Sequence, residues 1–186
     1  RAECDISSNT CTTCTDSTHC SHLSSTPVCK TPGATGLCVQ CVYDSDCPTI
    51  TAAQCSTSNT CIACTDISHC AHFSATPLCN ATLGGKCVQC NTDADCPTTS
   101  AAQCKSGNIC GSCTDSSHCA HLPDTPVCNV TLGGVCVECN SDSDCLSPIA
   151  SQCFLDNNTC VPCDDSIHCA HLIATDLCTI VGSSPG

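Results

Sequence analysis

Apolar residues in this chain occur singly or in short runs between closely spaced cysteines. In residues 114–122, TDSSHCAHL, the leading Thr and Asp are typical of an N-cap and predict one short helical turn. TLGG at residues 82–85 and 131–134 predicts a glycine-dependent turn before a short strand. We therefore expect mostly loop, with two-stranded ribbons and single helical turns. Thr-Pro steps favour extended backbone after such turns, at Thr26, Thr76 and Thr125.

The cysteines repeat along the chain. Two types of four-cysteine unit alternate, so the complete period is a pair of about 49 residues. This predicts repeats at residues 4–54, 55–103 and 104–152, with a partial fourth at 153–186. Units begin every 24 to 26 residues, at Cys4, Cys29, Cys55, Cys79, Cys104, Cys128 and Cys153, and Cys178 opens another.

Histidine and aspartate alternate at one place in the repeat. The first unit type carries histidine there and the second carries aspartate, so we predict one structural position that accepts either residue. Because an ordinary histidine titrates near pH ~6.5, the alternation is also a hypothesis for repeat contacts that change strength with pH. The residues are His19, His69, His118 and His168 in the first type, and Asp46, Asp95 and Asp144 in the second.

Cysteine accounts for 29 of the 186 residues, whereas Trp and Met are absent and the aromatic residues are Tyr43, Phe73 and Phe154. The chain therefore lacks the large apolar side chains from which a core is normally built. A disulfide that closes a loop of about 15 residues is worth roughly 3 kcal/mol, so cross-links can replace that core. Units that cannot each bury a core stack on their neighbours. We predict small disulfide-rich repeats stacked into an elongated rod.

Disulfides at this density persist where thiols stay oxidised, which predicts an extracellular protein, secreted or on a cell surface. Four basic residues against 17 carboxylates give a formal net charge of -13, which disfavours nucleic acid and anionic lipid as partners. No apolar run approaches the roughly 18 residues of a membrane span, and no leader opens the sequence. Because Met is absent, we expect a processed product or a piece of a longer chain.

The stretches CVQCVYDSDC from residue 38 and CVQCNTDADC from residue 87 resemble the tandem cysteine-rich repeats of extracellular and cell-surface proteins of microbes and protists. Their cysteine spacing is also similar to that of the N-terminal cysteine-rich module of Dickkopf proteins. The resemblance covers residues 4–178 and rests on cysteine spacing with D-x-D-C. It implies a modular surface protein used in structure, display or adhesion, and it implies no reaction.

Metal ligands are an alternative use of these residues. Zinc would take C-x2-C followed by H-x2-H, as at Cys110, Cys113, His118 and His121. The short spacing and the loss of both histidines from alternate units disfavour zinc, so we predict no metal site. Calcium is the second alternative, at paired aspartates, for which capping of the local backbone is the favoured role. The pairs are Asp44 with Asp46, Asp93 with Asp95, and Asp142 with Asp144.

We expect no enzymatic activity, because each histidine recurs in near-identical copies and an active site needs one pocket. Covalent glycans are better supported. Asn80, Asn129 and Asn157 stand in N-x-S/T acceptors, although such triplets also arise by chance. O-linked sugar on the threonines of the Thr-Pro steps is a secondary hypothesis, at Thr26, Thr76 and Thr125.

An odd number of cysteines cannot pair completely within one chain. The alternatives are a free thiol, a bond to a second copy, or further repeats beyond this sequence. We favour the last, because Cys178 opens an incomplete unit. Spacing alone leaves the pairing open, except that bonding within one C-x2-C is disfavoured.

These features predict a structural subunit of an extracellular, glycosylated filament, appendage or surface coat, whose partners are copies of itself, joined end to end or laterally. The alternative is a cell-surface adhesion or ligand-binding ectodomain, for which a cluster of exposed aromatic or Arg residues is expected and almost none is present. A protease inhibitor would need one loop that differs from its siblings, and none stands out.

Overall fold

The computed structural model describes residues 3–5, 10–30 and 36–172. The chain divides into two compact units between Asn91 and Thr92. Predictions that fall on residues 173–186, including Cys178 and the end of the fourth repeat, lie outside the described residues.

The strands pair into antiparallel two-stranded ribbons, each formed by two strands that are consecutive in the chain. They are β1 (Glu3–Asp5) with β2 (Thr10–Thr12), β3 (Val28–Lys30) with β4 (Leu37–Val39), β5 (Gln54–Cys55) with β6 (Cys61–Ile62), β7 (Leu78–Asn80) with β8 (Lys86–Val88), β9 (Gln103–Lys105) with β10 (Ile109–Gly111), β11 (Val127–Asn129) with β12 (Val135–Val137), and β13 (Gln152–Phe154) with β14 (Thr159–Val161).

The helical elements of the described residues are single 3-10 turns. This confirms the predicted fold class of small disulfide-rich repeats, made mostly of loop with short ribbons and single turns. The turns are η1 (Ser17–Cys20), η2 (Asp44–Asp46), η3 (Ile67–Cys70), η4 (Ala81–Leu83), η5 (Asp93–Asp95), η6 (Thr99–Ala101), η7 (Ser116–Cys119), η8 (Val130–Leu132), η9 (Asp142–Asp144) and η10 (Ser166–Cys169).

One module consists of a 3-10 turn and the ribbon that follows it. In residues 14–38, Cys14 and Cys20 lie at the turn η1, while Cys29 and Cys38 face each other across the ribbon β3–β4. The disulfides are Cys14–Cys29 and Cys20–Cys38, so the turn is attached to both strands. The sulfur atoms of Cys14, Cys20 and Cys29 lie within 4.8 Å of one another, so the two bridges are in contact.

The same pairing, first cysteine to third and second to fourth, recurs along the chain. Cys90, Cys104 and Cys163 are disulfide-bonded as well. None of the described pairs joins the two cysteines of one C-x2-C, as predicted. The further pairs are Cys41–Cys55, Cys47–Cys61, Cys64–Cys79, Cys70–Cys87, Cys96–Cys110, Cys113–Cys128, Cys119–Cys136, Cys139–Cys153 and Cys145–Cys160.

Two kinds of module alternate, named here for the residue at the shared turn position. The histidine modules are residues 14–38, 64–87 and 113–136, and residues 163–172 begin another. The aspartate modules are residues 41–61, 90–110 and 139–160.

The disulfide frame is displaced by two cysteines from the predicted repeat boundaries. The boundaries before residues 55, 104 and 153 fall inside the loops closed by Cys47–Cys61, Cys96–Cys110 and Cys145–Cys160. A module ends at the first cysteine of a C-x2-C and the next begins at the second, because the two cysteines bond in opposite directions along the chain. Every cysteine from Cys14 to Cys163 is bonded, so the odd cysteine lies outside that range.

The interior of each module is sulfur. Among the described residues, the buried apolar side chains are cysteines together with Ala53, Val88 and Ala102. Ordinary apolar residues such as Leu132 and Leu155 stay exposed. Paired cross-links therefore take the place that aliphatic and aromatic side chains occupy in a conventional core.

Two glycines end the turn η8 with positive φ, +84° at Gly133 and +81° at Gly134. The carbonyl oxygen of Gly134 accepts a hydrogen bond from the Cys113 amide at 2.9 Å. A Cβ on Gly134 would lie 2.3 Å from the carbonyl oxygen of Cys113, whereas a Cβ on Gly133 would meet nothing within 4 Å. Backbone conformation requires glycine at both positions, and close approach requires it at Gly134 as well.

The two glycines predict a matched pair of substitutions. Gly133→Ala should lower the free energy of unfolding by about 1 to 2 kcal/mol, the cost of left-handed backbone. Gly134→Ala should cost roughly a further 1 to 3 kcal/mol, because the added methyl group displaces the Cys113 amide from its acceptor. Guanidinium unfolding with the disulfides intact measures both, and equal losses would contradict the close approach.

Candidate functional site

The histidine turn distinguishes the histidine modules from the aspartate modules. It begins at an aspartate N-cap whose side chain accepts a hydrogen bond from the amide two residues on, as Asp16 accepts from Thr18. The N-cap residues of the later copies are Asp66, Asp115 and Asp165. Two histidines follow, one inside the turn and one just beyond it.

The first histidine accepts backbone hydrogen bonds at the start of its turn. Nδ1 of His69 accepts from the amides of Thr65 at 3.3 Å and Asp66 at 3.1 Å. A backbone amide needs a lone pair as its acceptor, so Nδ1 of His69 serves as the acceptor here. His118 repeats the contact with the Asp115 amide at 3.3 Å.

In the aspartate modules, an aspartate accepts the corresponding backbone hydrogen bonds. Oδ2 of Asp46 accepts from the amides of Val42 at 2.8 Å and Tyr43 at 2.9 Å. Oδ2 of Asp144 accepts from Asn140 at 2.8 Å and Ser141 at 2.9 Å. The structure thus confirms the predicted exchange of histidine and aspartate at one position, because both supply an acceptor to the same pair of amides.

Nε2 of the first histidine in the third histidine module, His118, lies against a glutamine of the preceding module. The Gln103 amide nitrogen lies 2.9 Å from Nε2 of His118, and Oε1 of Gln103 is buried without a hydrogen-bond partner. A half-turn of the Gln103 amide would place Oε1 against the ring nitrogen and give both groups a partner when that nitrogen carries the ring proton.

The second histidine connects its module to the one before. Nε2 of His72 lies 3.0 Å from the carbonyl oxygen of Cys47, and His121 and His171 repeat the contact with Cys96 at 2.8 Å and Cys145 at 2.9 Å. Because the partner is a carbonyl oxygen, Nε2 is the donor. The same hydrogen bond therefore joins an aspartate module to the following histidine module at three places in the chain.

A small buried residue completes this junction. Ala53 is fully buried against Cys64, Cys70 and Cys87 of the next module, and Ala102 occupies the same position in the following pair. The amide of Cys87 donates to the carbonyl oxygen of Ile50 at 2.7 Å. We name this combination of histidine donor and buried small residue the module junction.

The predicted metal ligands have other partners. Cys110 is bonded to Cys96 and Cys113 to Cys128, so the sulfurs that zinc would need are not thiolates. Oδ1 of Asp44 accepts from the Cys55 amide at 2.7 Å. Asp93 and Asp142 repeat that contact with the amides of Cys104 at 2.7 Å and Cys153 at 2.8 Å, so the first aspartate of each pair holds a ribbon strand. The second aspartate of each pair accepts amides of its own turn, which is the capping role favoured from the sequence.

The predicted N-glycan acceptors share one geometry. Oδ1 of Asn80 and of Asn129 each accept from the threonine hydroxyl of its own triplet at 2.6 Å, and both also accept the amide of the following leucine. Oδ1 of Asn157 accepts from the Thr159 hydroxyl at 2.7 Å. Asn157 is exposed, Asn80 is half-buried and Asn129 is 9% exposed.

The predicted O-glycan acceptors are all half-buried, and their amides close a tight turn that follows the histidine turn. The Thr125 amide, for example, donates to the carbonyl oxygen of Leu122 at 3.1 Å. The three residues are Thr26, Thr76 and Thr125. They lie inside the histidine modules, between the histidine turn and the ribbon.

Hydrogen bonds lower the pKa of the turn aspartates below the ordinary value. The side-chain and then the backbone hydrogen bond of Thr18 lower the pKa of Asp16, and Ser117 does the same to Asp115. For Asp66 the backbone hydrogen bond of Ser68 is the larger cause and its side chain the second. The charged carboxylate is therefore the form that the turn stabilises.

Neither the partner of the second histidine nor the burial of the alanine was predicted from the sequence. The signal available was the small residue before each Gln-Cys, which is Ala53, Ala102 and Ser151 in successive aspartate modules.

Among the described residues, no helix has the length and apolar character needed to span a membrane. The chain matches no protein-family model, no characterised protein and no solved structure.

The two histidines of one turn should respond oppositely to replacement by aspartate. His69→Asp keeps an acceptor for the two cap amides, so the module junction should be unchanged. His72→Asp removes the donor and places a carboxylate against the Cys47 carbonyl. The free energy of unfolding should fall by about 1 to 3 kcal/mol. Hydrogen exchange at the Cys87 amide, which lies in the junction, should accelerate in the second variant alone. Equal exchange in both variants would contradict the assigned roles.

The lowered pKa of Asp115 predicts a second pair of variants. Ser117→Ala should raise that pKa toward the ordinary value, whereas Ser117→Thr should leave it low, because Thr18 fills this place in the first copy. A carboxyl group whose pKa is lowered on folding stabilises the folded turn at pH values above its unfolded-state pKa of roughly 3.9. This stabilisation is lost as the pH falls through the folded-state pKa. NMR titration of the Asp115 carboxyl carbon measures this pKa. Identical titration curves for the two variants would show that the hydroxyl group at position 117 does not lower it.

Proposed function

We propose that this chain is a structural subunit of an extracellular, glycosylated filament, appendage or surface coat, and that it has no enzymatic activity. The observation that carries the proposal is the module junction, which occurs in the same form at His72, His121 and His171. A contact that is repeated within one chain gives length, whereas an active site or ligand pocket is needed once.

The junction is directional. A histidine module always offers the donor, and the aspartate module before it always offers the carbonyl oxygen. A head-to-tail contact between copies that resembles the contact between successive modules, and that does not close on itself, gives open-ended growth. The predicted partner is therefore another copy of this chain.

The extracellular assignment rests on the disulfides. Paired bridges form the interior of every described module, and proteins stabilised in this way belong to oxidising compartments. The resemblance to cysteine-rich repeats of microbial and protist surface proteins agrees with this location. Glycans at Asn80, Asn129 and Asn157 are part of the proposal, since the sequons recur on a secreted chain.

The absence of enzymatic activity is inferred from the engagement of the histidines. Nδ1 of His69 accepts two amides and Nε2 of His72 donates to a carbonyl oxygen, so these nitrogens serve the backbone. A general base must offer its lone pair to a substrate proton. We assign the histidines a structural role.

One observation favours the alternative, an adhesion or ligand-binding ectodomain. The loop of the third aspartate module carries exposed Leu146 and Ile149, where the earlier copies carry Pro48 or Pro97 and a threonine or serine. Exposed apolar side chains on one copy alone are typical of a contact with a different molecule.

Electron microscopy of the secreted chain, purified with its disulfides intact, tests the proposal. Linear assemblies should appear and lengthen as protein concentration rises, and they should disappear when the chain is reduced and alkylated. Discrete particles at every concentration would overturn the proposal.

A matched variant separates the two candidate functions. Leu146→Ser with Ile149→Ser removes the exposed apolar pair and keeps the junction residues Cys145, Ser151 and His171. Filament formation should be unchanged if the chain is a structural subunit. Loss of cell binding in this variant, together with discrete particles in the parent, would identify an adhesion protein.

A further inference from the structure

A groove of about 460 Å³ lies between a histidine module and the aspartate module that follows it. The histidine module contributes Asn129, Val130 and Leu132, and the aspartate module contributes Leu155 and Asn158. The three apolar side chains are 60%, 57% and 64% exposed, for Val130, Leu132 and Leu155 in that order. The groove therefore has three exposed apolar side chains along its walls.

The glycan acceptor Asn129 is at the bottom of this groove. Its described hydrogen bonds use Oδ1 alone, which accepts from the Thr131 hydroxyl and the Leu132 amide. Nδ2 is not among the buried, unpaired polar atoms of the described residues, so it keeps contact with solvent. Asn129 is 9% exposed and lines the groove, so the groove is the open space next to a group attached to Nδ2.

Two amide oxygens give the groove polar acceptors. Nδ2 of Asn140 donates to the carbonyl oxygen of Cys128 at 2.9 Å, and Nδ2 of Asn158 donates to that of Cys139 at 2.9 Å. Each side chain is therefore fixed with Oδ1 as its remaining polar atom. An N-acetylhexosamine has hydroxyl and acetamido donors for such oxygens, and a C–H face for leucine and valine side chains.

We propose that this groove is the seat of the first N-acetylglucosamine of a glycan linked to Asn129, and that the sugar packs across both modules. The proposal rests on the glycosylation that is part of the proposed function. In the transfer, Nδ2 bonds to the anomeric carbon of a polyprenyl-diphosphate oligosaccharide. The C–O bond to the diphosphate breaks, the diphosphate leaves, and one Nδ2 proton passes to the transferase.

The preceding repeat supplies an internal control. Asn80 has the same cap, with Oδ1 accepting from the Thr82 hydroxyl and the Leu83 amide. In sequence, however, Ala81 stands where the later repeat has Val130, and Ser106 stands where it has Leu155. The sequence of the earlier repeat therefore lacks two of the three apolar residues.

Enzymatic release of glycans from the folded, secreted protein tests the proposal. Peptide N-glycosidase should release the sugar of Asn129 about tenfold or more slowly than that of Asn80, since release from the groove needs local opening. Leu155→Ser with Val130→Ala, which copies the earlier repeat, should bring the two rates together. After reduction and denaturation, both sugars should leave at similar rates.

Nuclear Overhauser effects provide a direct readout on the same material. The acetamido methyl group of the Asn129 sugar should show effects to the methyl groups of Leu132 and Leu155. A glycan on Asn129 that shows none, or whose release is equally slow in the double variant, would overturn the groove as its seat.

The occupancy of the two acceptors separates this inference from the proposed function. A glycan on Asn80 with Asn129 unmodified would overturn the inference and leave the glycosylated structural subunit standing. An unmodified chain from a glycosylating host would overturn both the inference and the glycan part of the proposal.

Discussion

Two disulfides in contact, rather than a set of apolar side chains, determine how this protein folds. The ribbon β3–β4 places Cys29 opposite Cys38, and both are bonded to the turn at Cys14 and Cys20. Two strands of three residues would not be stable alone, because an isolated hairpin is marginal in water. The cross-links restrict the unfolded chain enough for a module of this size to persist.

Because the cross-links supply most of the stability, side chains near them serve mainly to satisfy the backbone. Asp44 accepts the amide of Cys55 in an aspartate module, and Ser17 accepts the amide of Cys29 in a histidine module. The exchange of His69 and Asp46 follows the same logic. What each position requires is an oxygen or nitrogen acceptor at one place, so residues of different charge are interchangeable there.

The local structure could be predicted from the sequence, whereas the pairing could not. Gly133, the Thr-Pro steps and the Asp N-caps determine backbone within a few residues, and the predicted turns and ribbons are present. In a C-x2-C, the sequence does not show which cysteine bonds backward, so the module frame was displaced by two cysteines. The partner of His72 is the carbonyl oxygen of Cys47, 25 residues away, and a backbone acceptor leaves no mark in the sequence.

The position of the module boundary has a consequence for proteolysis. A cut inside a disulfide loop leaves both ends of the chain covalently connected, so within residues 14–160 cleavage separates fragments at the dipeptides between modules, such as Val39-Gln40 or Val137-Glu138. Lys30, Lys86 and Lys105 all lie inside loops, closed by Cys20–Cys38, Cys70–Cys87 and Cys96–Cys110. A trypsin-like enzyme that cuts at these lysines would nick the protein and still leave it in one piece.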